Sequence, residues 1–162
     1  MTRDELFELT DTALLKRCRI DYFRAPGPGG QRRNKVDSGV RLTLKDFPKI
    51  TAIATERRSQ YVNSRQALIR LRRAIAYELR NTATPTWNGR LKFNVENREY
   101  PRFLALILDA LAQNKWRMAD AARAMNLTTG KLNKITFGDP QLWDYVNRTR
   151  ESLGMSRLRP PR

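Results

Sequence analysis

The segment from Arg24 to Lys35 places the strongest constraint on how this chain can fold. Three glycines and two prolines occupy positions 26–30, so neither a helix nor a strand can continue through them. Basic residues follow at positions 32, 33 and 35. We therefore expect an exposed loop whose glycines let main-chain N–H groups face an anion, although a plain surface turn beside a basic strand has the same pattern.

Alternating apolar residues on both sides of this segment predict a small antiparallel sheet. Its three strands cover positions 17–24, 40–44 and 50–55, with a hairpin connection at 45–49. The side chains expected to share an inner face are Cys18, Ile20 and Tyr22 on the first strand and Val40, Leu42 and Leu44 on the second.

Helices are predicted before and after the sheet. Positions 3–16 form one or two short helices, with Thr2 or Asp4 as the first cap and Thr10 or Asp11 as the second. A long helix begins at a Thr55 cap, and its buried stripe consists of Leu68, Leu71, Ile75 and Leu79. Because this helix covers the sheet, the first half of the chain is predicted to be an α+β fold.

The other faces of the long helix carry a run of arginines, and the whole chain is strongly basic. The run consists of Arg57, Arg58, Arg65, Arg70, Arg72, Arg73 and Arg80. Such a run is commonly a solvated face, but like charges on neighbouring turns are mildly destabilising and arginine suits phosphate. With a formal charge of +16, nucleic acid is the expected partner. A membrane partner is not expected, because an apolar segment of about 18 residues is absent.

The scarcity of cysteine and histidine limits the chemistry that this chain can perform. Cys18 is the single cysteine and there is no histidine, which excludes an internal disulfide, a histidine general base and an ordinary zinc site. We therefore expect neither metal nor cofactor, and we interpret Cys18 as a small core side chain. The acidic N-terminal residues are unlike a secretory or transit signal, so a cytoplasmic protein is expected.

Composition changes after residue 82 and divides the chain. A first domain is predicted at 1–82, a linker at 83–98, a helical domain at 99–155 and a short basic tail at 156–162. The linker has no sustained period and contains Asn88-Gly89, a pair typical of a short hairpin.

The helical domain contains a pattern that resembles a helix-turn-helix. Pro101 suits the first turn of one helix, and Asp139-Pro140 starts another that Gly154 ends. Between them, Ala122 permits a close helix crossing, Asn126 suits a left-handed turn and Thr128 caps the next helix. A helical packing unit with no groove-reading role remains an equal alternative. A second RNA or protein partner is compatible with residues 100–155.

Two blocks of residues, which occur in the same order as in one known family, resemble that family's pattern. The string from Arg19 to Thr43, with Gly29-Gly30-Gln31 inside it, closely resembles the catalytic domain of class I peptide-chain release factors. A second block, Glu56, Arg58-Ser59-Gln60 and Asn63, is similar to a later part of that family's pattern. Because the triple alone would be a weak signal, the order and spacing of both blocks carry the resemblance, which covers residues 17–80.

The resemblance implies ribosome-dependent hydrolysis of the ester that joins a nascent peptide to the P-site tRNA. Gly29 and Gly30 would permit the backbone geometry, and the main-chain N–H of Gln31 would stabilise the oxyanion or the leaving ribose oxygen. Basic residues in the loop and on the long helix would hold the loop against large-subunit ribosomal RNA. The candidates for RNA binding are Arg24, Arg32, Arg33, Asn34, Lys35, Arg57, Arg58, Arg65, Arg72 and Arg73.

The chain departs from full release factors in ways that bear on its function. Pro26 and the pair Arg32-Arg33 differ from the residues usual in the family, which bears on how the loop is seated. A catalytic block that begins near residue 17 leaves no room for a stop-codon-reading domain, so we expect a codon-independent, monomeric ribosome-rescue hydrolase. The alternative is a non-catalytic RNA- or DNA-binding module that uses the helix-turn-helix-like domain.

Overall fold

The computed structural model describes residues 1–24, 37–82, 94 and 96–161. The chain divides into two compact units, Met1–Leu79 and Arg80–Arg162. The predicted linker at 83–98, with its Asn88-Gly89 hairpin, lies mostly outside the described residues, so its limits stay a prediction. In chain order the elements are α1 (Arg3–Glu8), α2 (Asp11–Lys16), β1 (Cys18–Phe23), β2 (Gly39–Leu44), β3 (Thr51–Ala54), α3 (Gln60–Glu78), α4 (Tyr100–Gln113), α5 (Met118–Ala124), α6 (Thr129–Phe137) and α7 (Pro140–Ser152).

The first unit is a three-stranded antiparallel sheet of order β1-β2-β3, which confirms the predicted α+β class. In the register, Leu42 of β2 lies opposite Ile20 of β1 and Ala52 of β3. Helix α3 packs against β2 and β3. The side chains of Val40, Leu42 and Leu44 are fully buried there, together with Ala54.

Strand β1 differs from its predicted burial. Cys18 is buried, but Ile20 and Tyr22 on the same face are 37% and 50% exposed. The prediction of a buried face along the whole strand is therefore wrong beyond Cys18, because α3 lies mainly over the other two strands. Burial raises the pKa of the Cys18 thiol to about 11, and its S–H donates to the Leu14 carbonyl at 3.3 Å. This environment suits an inert core thiol.

Helix α3 begins four residues later than the Thr55 cap that the sequence predicts. Ser59 is the N-cap, and its hydroxyl accepts the N–H of Val62 at 3.4 Å. Glu56 bonds its carboxylate to the N–H of Thr55 instead of capping a helix. Leu68, Leu71 and Ile75 of the predicted stripe are buried as expected, whereas Leu79 is half-buried and lies just past the last residue of α3.

The N-terminal residues form two helices, as the sequence allowed. Thr2 caps α1 in a reciprocal arrangement, because its hydroxyl accepts the N–H of Glu5 while the Glu5 carboxylate accepts the N–H of Thr2. Thr10 caps α2 through the N–H of Ala13. The buried side chains Leu6 and Leu14 tie these helices to the core of the first unit.

The second unit is helical where the structure describes it. Pro101 lies in the first turn of α4, Thr128 caps α6, and Asp139 caps α7 while its carboxylate also accepts the hydroxyl of Tyr100. Asn126 adopts φ 55° in the turn between α5 and α6, as predicted. Leu153, the residue that caps the C-terminal end of α7, is 56% exposed.

A bilayer-spanning helix is not found among the residues that the structure describes, since none combines the required length and hydropathy.

Candidate functional site

The residues proposed from the sequence to perform chemistry lie outside the described part of the chain. They are Gly29, Gly30 and Gln31, and the neighbouring Arg32, Arg33, Asn34 and Lys35. The structure describes the two ends of the segment that contains them. Phe23 pairs with Gly39 at the last register position of β1 and β2, so the chain leaves and re-enters the sheet at neighbouring positions. Arg24 and Asp37 join across this gap with an ion pair of 3.2 Å.

Asn63 of α3 fixes the chain where β2 begins. Its side chain is fully buried, and its amide donates to the carbonyl of Ser38 at 2.6 Å and to that of Arg57 at 2.8 Å. The Asn63 carbonyl oxygen accepts the N–H of Arg57 at 3.0 Å. One buried amide therefore holds two chain segments that would otherwise carry unpaired polar groups.

Gln60 adds a contact to the same end of the segment. Its side-chain amide donates to the carbonyl of Asp37 at 2.8 Å. Because Gln60 is the first residue of α3 and Ser59 caps that helix, the position of this amide is set by the helix start. Consecutive carbonyls of Asp37 and Ser38 are thus held by two residues of one helix.

Glu56 and Arg70 fix the chain just before α3. The Arg70 guanidinium lies 2.7 Å from the Glu56 carboxylate and donates to the carbonyl of Ile53 at 2.6 Å. The hydrogen bond from Arg70 lowers the pKa of Glu56 below its ordinary value. The residues Glu56, Ser59, Gln60 and Asn63 of the second sequence block therefore build the support of the site, a role that the sequence alone did not assign to them.

Gly39 is required at the point where the two strands meet. A Cβ built on Gly39 would lie 2.8 Å from the carbonyl oxygen of Phe23 and 2.9 Å from its ring. Real Cβ atoms do not approach backbone so closely, so a larger residue would separate β1 from β2 at the entrance to the segment. The same Phe23 ring lies 5.4 Å from the guanidinium carbon of Arg41.

The structure separates the arginines that the sequence analysis grouped together. Arg57, Arg58 and Arg65 are exposed, and their side chains make no hydrogen bond or ion pair with a described residue. Arg73 is half-buried. Arg72 is 4% exposed and donates to the carbonyl of Leu9 at 2.7 Å and to Asp11 at 2.9 Å.

The burial of Arg72 corrects its place among the residues expected to bind RNA. Its guanidinium is used to hold the segment between α1 and α2 against α3, and it also bonds to the carbonyl of Phe7. A side chain that is 5% exposed cannot reach a phosphate without breaking these bonds. We therefore assign Arg72 to the packing of the first unit.

Tyr61 is a surface residue that the sequence analysis missed. Its side chain is 70% exposed, next to Val62 at 42%, in the first turn of α3. Tyr61 stands seven residues before the buried Leu68, so helical periodicity favours a core position for it. The missed signal is its spacing from arginine, because Arg65 follows one helical turn later and Arg58 precedes the helix.

The sequence of this chain matches one protein family. The sequence model of the RF-1 domain matches residues 12–100. Peptide chain release factor 1 of Mycoplasma pneumoniae is 33% identical over 122 residues, which are 75% of this chain and 32% of that protein. Peptide chain release factor 1 of Nitrosomonas europaea is 53% identical over 51 residues, and covers 31% of this chain and 14% of its own length.

A release factor 2 gives a similar result. Peptide chain release factor 2 of Paramagnetospirillum magneticum is 48% identical over 56 residues, which are 34% of this chain and 15% of that protein. This chain therefore spans less than a third of the length of the relatives described here. No solved structure matches it significantly.

Proposed function

Because this chain belongs to the RF-1 domain family, we propose that it hydrolyses the ester of peptidyl-tRNA on the ribosome without reading a codon. The observation that carries the proposal is the Gly29-Gly30-Gln31 triple within the matched residues, on a segment whose ends the structure anchors. The partners are the large-subunit ribosomal RNA and the P-site peptidyl-tRNA, and the chain acts as a monomer in the cytoplasm. Metal and cofactor take no part in the proposed chemistry.

The reaction is attack of water on the ester carbonyl of the peptide. A bond forms between the water oxygen and the carbonyl carbon, and the bond from that carbon to the ribose oxygen breaks. The ribose oxygen takes up a proton, and the products are a free peptide and a tRNA. In this scheme the main-chain N–H of Gln31 donates to the negative charge that develops, and one well-placed donor of this kind contributes about 3 kcal/mol.

The anchors of the segment support this role for a backbone donor. Electrostatic stabilisation is effective when the donor is held in place before the reaction, so that no reorganisation is needed. Asn63 and Gln60 hold the carbonyls of Ser38 and Asp37, and Arg24 pairs with Asp37 across the strand ends. The segment is therefore attached to a fixed base on the sheet and α3.

The exposed residues beside this base suit ribosomal RNA. Arg57, Arg58 and Arg65 offer guanidinium groups to phosphate, and Tyr61 offers an exposed ring to a nucleobase. Phosphate is the same in every codon, and stacking on a ring tolerates every base. Contacts of this kind support a reaction that does not depend on a stop codon.

A peptide-release assay tests the reaction and its independence of codon. Purified 70S ribosomes are stalled with labelled peptidyl-tRNA on three messages: one that ends in the P site, one with a sense codon in the A site and one with a stop codon there. We expect release from the truncated message at a rate that a stop codon raises less than twofold. Release only with the stop codon would contradict codon independence, and binding without any release would favour the non-catalytic module.

Substitution of Tyr61 tests the RNA-facing surface of α3. Tyr61→Ala should weaken binding to large ribosomal subunits by about 5- to 150-fold, because stacking of a base on an aromatic ring is worth about 1–3 kcal/mol. Tyr61→Phe keeps the ring and should bind within twofold of the parent. Leu153→Ala, at another exposed apolar side chain, is the control. Equal binding by Tyr61→Ala and Leu153→Ala would exclude a stacking role.

A further inference from the structure

We propose that the α5–α6 pair of the second unit binds the phosphate backbone of double-helical RNA. The surface consists of the turn before α5, the two helices and the turn that joins them, residues 115–138. Residues 101–162 lie beyond the match to the RF-1 domain, so that family assigns no role to this surface. The choice of RNA as the polyanion rests on the proposed function, whereas the surface itself is argued from the structure.

The shape of the pair presents α6 to solvent. Ala121 and Ala122 on α5 are buried, and the N–H of Leu127 bonds to the carbonyl of Ala122 at 2.8 Å, which holds the connecting turn closed. Leu132 and Thr136 face inward from α6. Gly130, Lys131, Lys134 and Phe137 on the other sides of α6 are exposed, and so is Thr129 at the first position of the helix. A Cβ built on Gly130 would meet no atom within 4 Å, so a ligand can approach the helix backbone closely there.

The α5–α6 pair carries a larger net positive charge than the other helices of the second unit. Residues 115–138 contain five basic residues and one acidic residue, a net charge of +4. Helix α7 at 140–152 with its cap Asp139 contains two basic and three acidic residues, a net charge of −1, and α4 is neutral. The five basic residues are Lys115, Arg117, Arg123, Lys131 and Lys134, and all five are exposed. These exposed charges are complementary to a polyanion.

Within the described part of the chain, four of these five charged side chains have no hydrogen-bond or ion-pair partner. Arg123 lies 3.4 Å from Asp120, an exposed contact of little energetic value. For the other four, the structure describes no side-chain hydrogen bond or ion pair among residues 1–24, 37–82, 94 and 96–161. By contrast, Arg148 on α7 pairs with Asp144 at 2.9 Å, and Arg157 in the tail pairs with Glu151 at 3.1 Å.

The side chains on α6 suit phosphate rather than base edges. Arginine and glutamine, two of the residue types that make two-bond contacts to bases, do not occur between Thr128 and Gly138. Asn133 is the amide present, but its N–H₂ group donates to the carbonyl of Arg159 at 3.0 Å and its oxygen is buried. Lysine at 131 and 134 acts as a point charge toward phosphate. The exposed side of α6 therefore suits a nucleic-acid backbone better than base edges.

Because the second unit is covalently joined to the RF-1 domain, RNA is the nucleic acid that it would meet on the ribosome. When one module binds the ribosome, the attached module meets nearby RNA at an effective concentration in the millimolar range. A modest affinity of the α5–α6 surface for an RNA helix then adds substantially to residence on the ribosome. Such a second contact supplies recruitment that requires no codon.

Direct binding of the full chain to nucleic acid tests this surface without any reference to hydrolysis. The probe is a 20-base-pair RNA hairpin, with a DNA duplex of the same sequence and a scrambled RNA hairpin beside it. Lys131→Ala with Lys134→Ala removes two charges from α6. The matched control, Lys49→Ala with Arg148→Ala, removes two exposed charges elsewhere. Affinity is measured between 50 and 300 mM salt by fluorescence anisotropy.

Log affinity falls as log salt rises, and the α6 double variant should make this slope shallower by about 2. It should also weaken binding to both RNA hairpins by about tenfold at low salt. The control should change both quantities less than half as much. Equal loss in the two double variants would overturn the surface, and a stronger effect on the DNA duplex would overturn RNA as the partner. An α6 double variant that bound both RNA hairpins as tightly as the parent would also overturn the proposal.

The catalytic proposal can fail separately from this one. Gly30→Ala should bind the RNA hairpin as tightly as the parent, since residue 30 lies outside the second unit. A chain that binds the hairpin through α6 but releases no peptide would reject hydrolysis and keep the surface. If the α6 double variant lost hairpin binding but released peptide at the parental rate, the hydrolysis proposal would stand. Recruitment through this surface would then be rejected.

Discussion

Replacing Gly30 with alanine is expected to reduce the rate of peptide release by about a hundred- to a thousandfold. In the proposed reaction the N–H of Gln31 stabilises the developing oxyanion, and the two residues before it must take backbone angles that suit glycine. A methyl group at residue 30 closes part of that range, so the donor is displaced when the substrate is bound. The single-turnover release rate on stalled ribosomes measures the effect.

Two controls separate this result from loss of folding or binding. Gly27→Ala changes a glycine of the same segment outside the Gly-Gly-Gln triple, and should reduce release less than fivefold. Both variants should bind ribosomes as the parent does and show unchanged hydrogen exchange in α3. If Gly30→Ala and Gly27→Ala released peptide equally well, a backbone donor at Gln31 would not be the source of catalysis.

The sequence predicted the parts of the fold that follow a simple period. Val40, Leu42 and Leu44 alternate along β2, and all three are fully buried because both strand partners and α3 surround them. The stripe of α3 was likewise readable at Leu68 and Leu71. Periodicity alone does not predict burial at the edges of the sheet, where burial depends on which element packs over a residue. Ile20 and Tyr22, for example, share the face of Cys18 but extend past the helix that covers the sheet.

Helix starts and arginine roles were harder to predict, because they depend on competing hydrogen bonds. Thr55 and Ser59 are both good caps, and Ser59 is chosen where Asn63 binds Arg57 and the Glu56 carboxylate bonds to Thr55. Arg72 looks like its exposed neighbours in sequence. Only the fold brings the carbonyl of Leu9 within its reach, 63 residues away along the chain.

The second block of the family pattern has a physical explanation in these contacts. Gln60 and Asn63 bind the carbonyls of Asp37 and Ser38, which follow the Gly-Gly-Gln segment. A sequence comparison records such residues beside the chemical ones without distinguishing support from chemistry. These two groups of residues should give different phenotypes when they are substituted. Substitution of a supporting residue such as Asn63 should alter folding and release together, whereas substitution of Gly30 should alter release alone.

Asn63→Ala is therefore expected to lower the unfolding free energy of the first unit by about 3 kcal/mol, because three hydrogen bonds are lost and the main-chain groups of the buried Ser38 and of Arg57 lose these partners. Hydrogen exchange of the β2 and α3 amides in increasing urea measures this change for the unit by itself. Asn63→Asp keeps the volume but cannot donate to either carbonyl, so it should destabilise the unit at least as much.

Release by the folded fraction of Asn63→Ala should also fall by about tenfold or more, since a donor that is no longer held in place must be ordered during the reaction. Gln66→Ala on the same helix is the matched control, because the Gln66 side chain makes no hydrogen bond with a described residue. It should change stability by less than about 0.5 kcal/mol and leave release unaltered. If Asn63→Ala were destabilised but released peptide at the parental rate per folded molecule, the anchor would serve folding alone and the proposed link between the two blocks would be rejected.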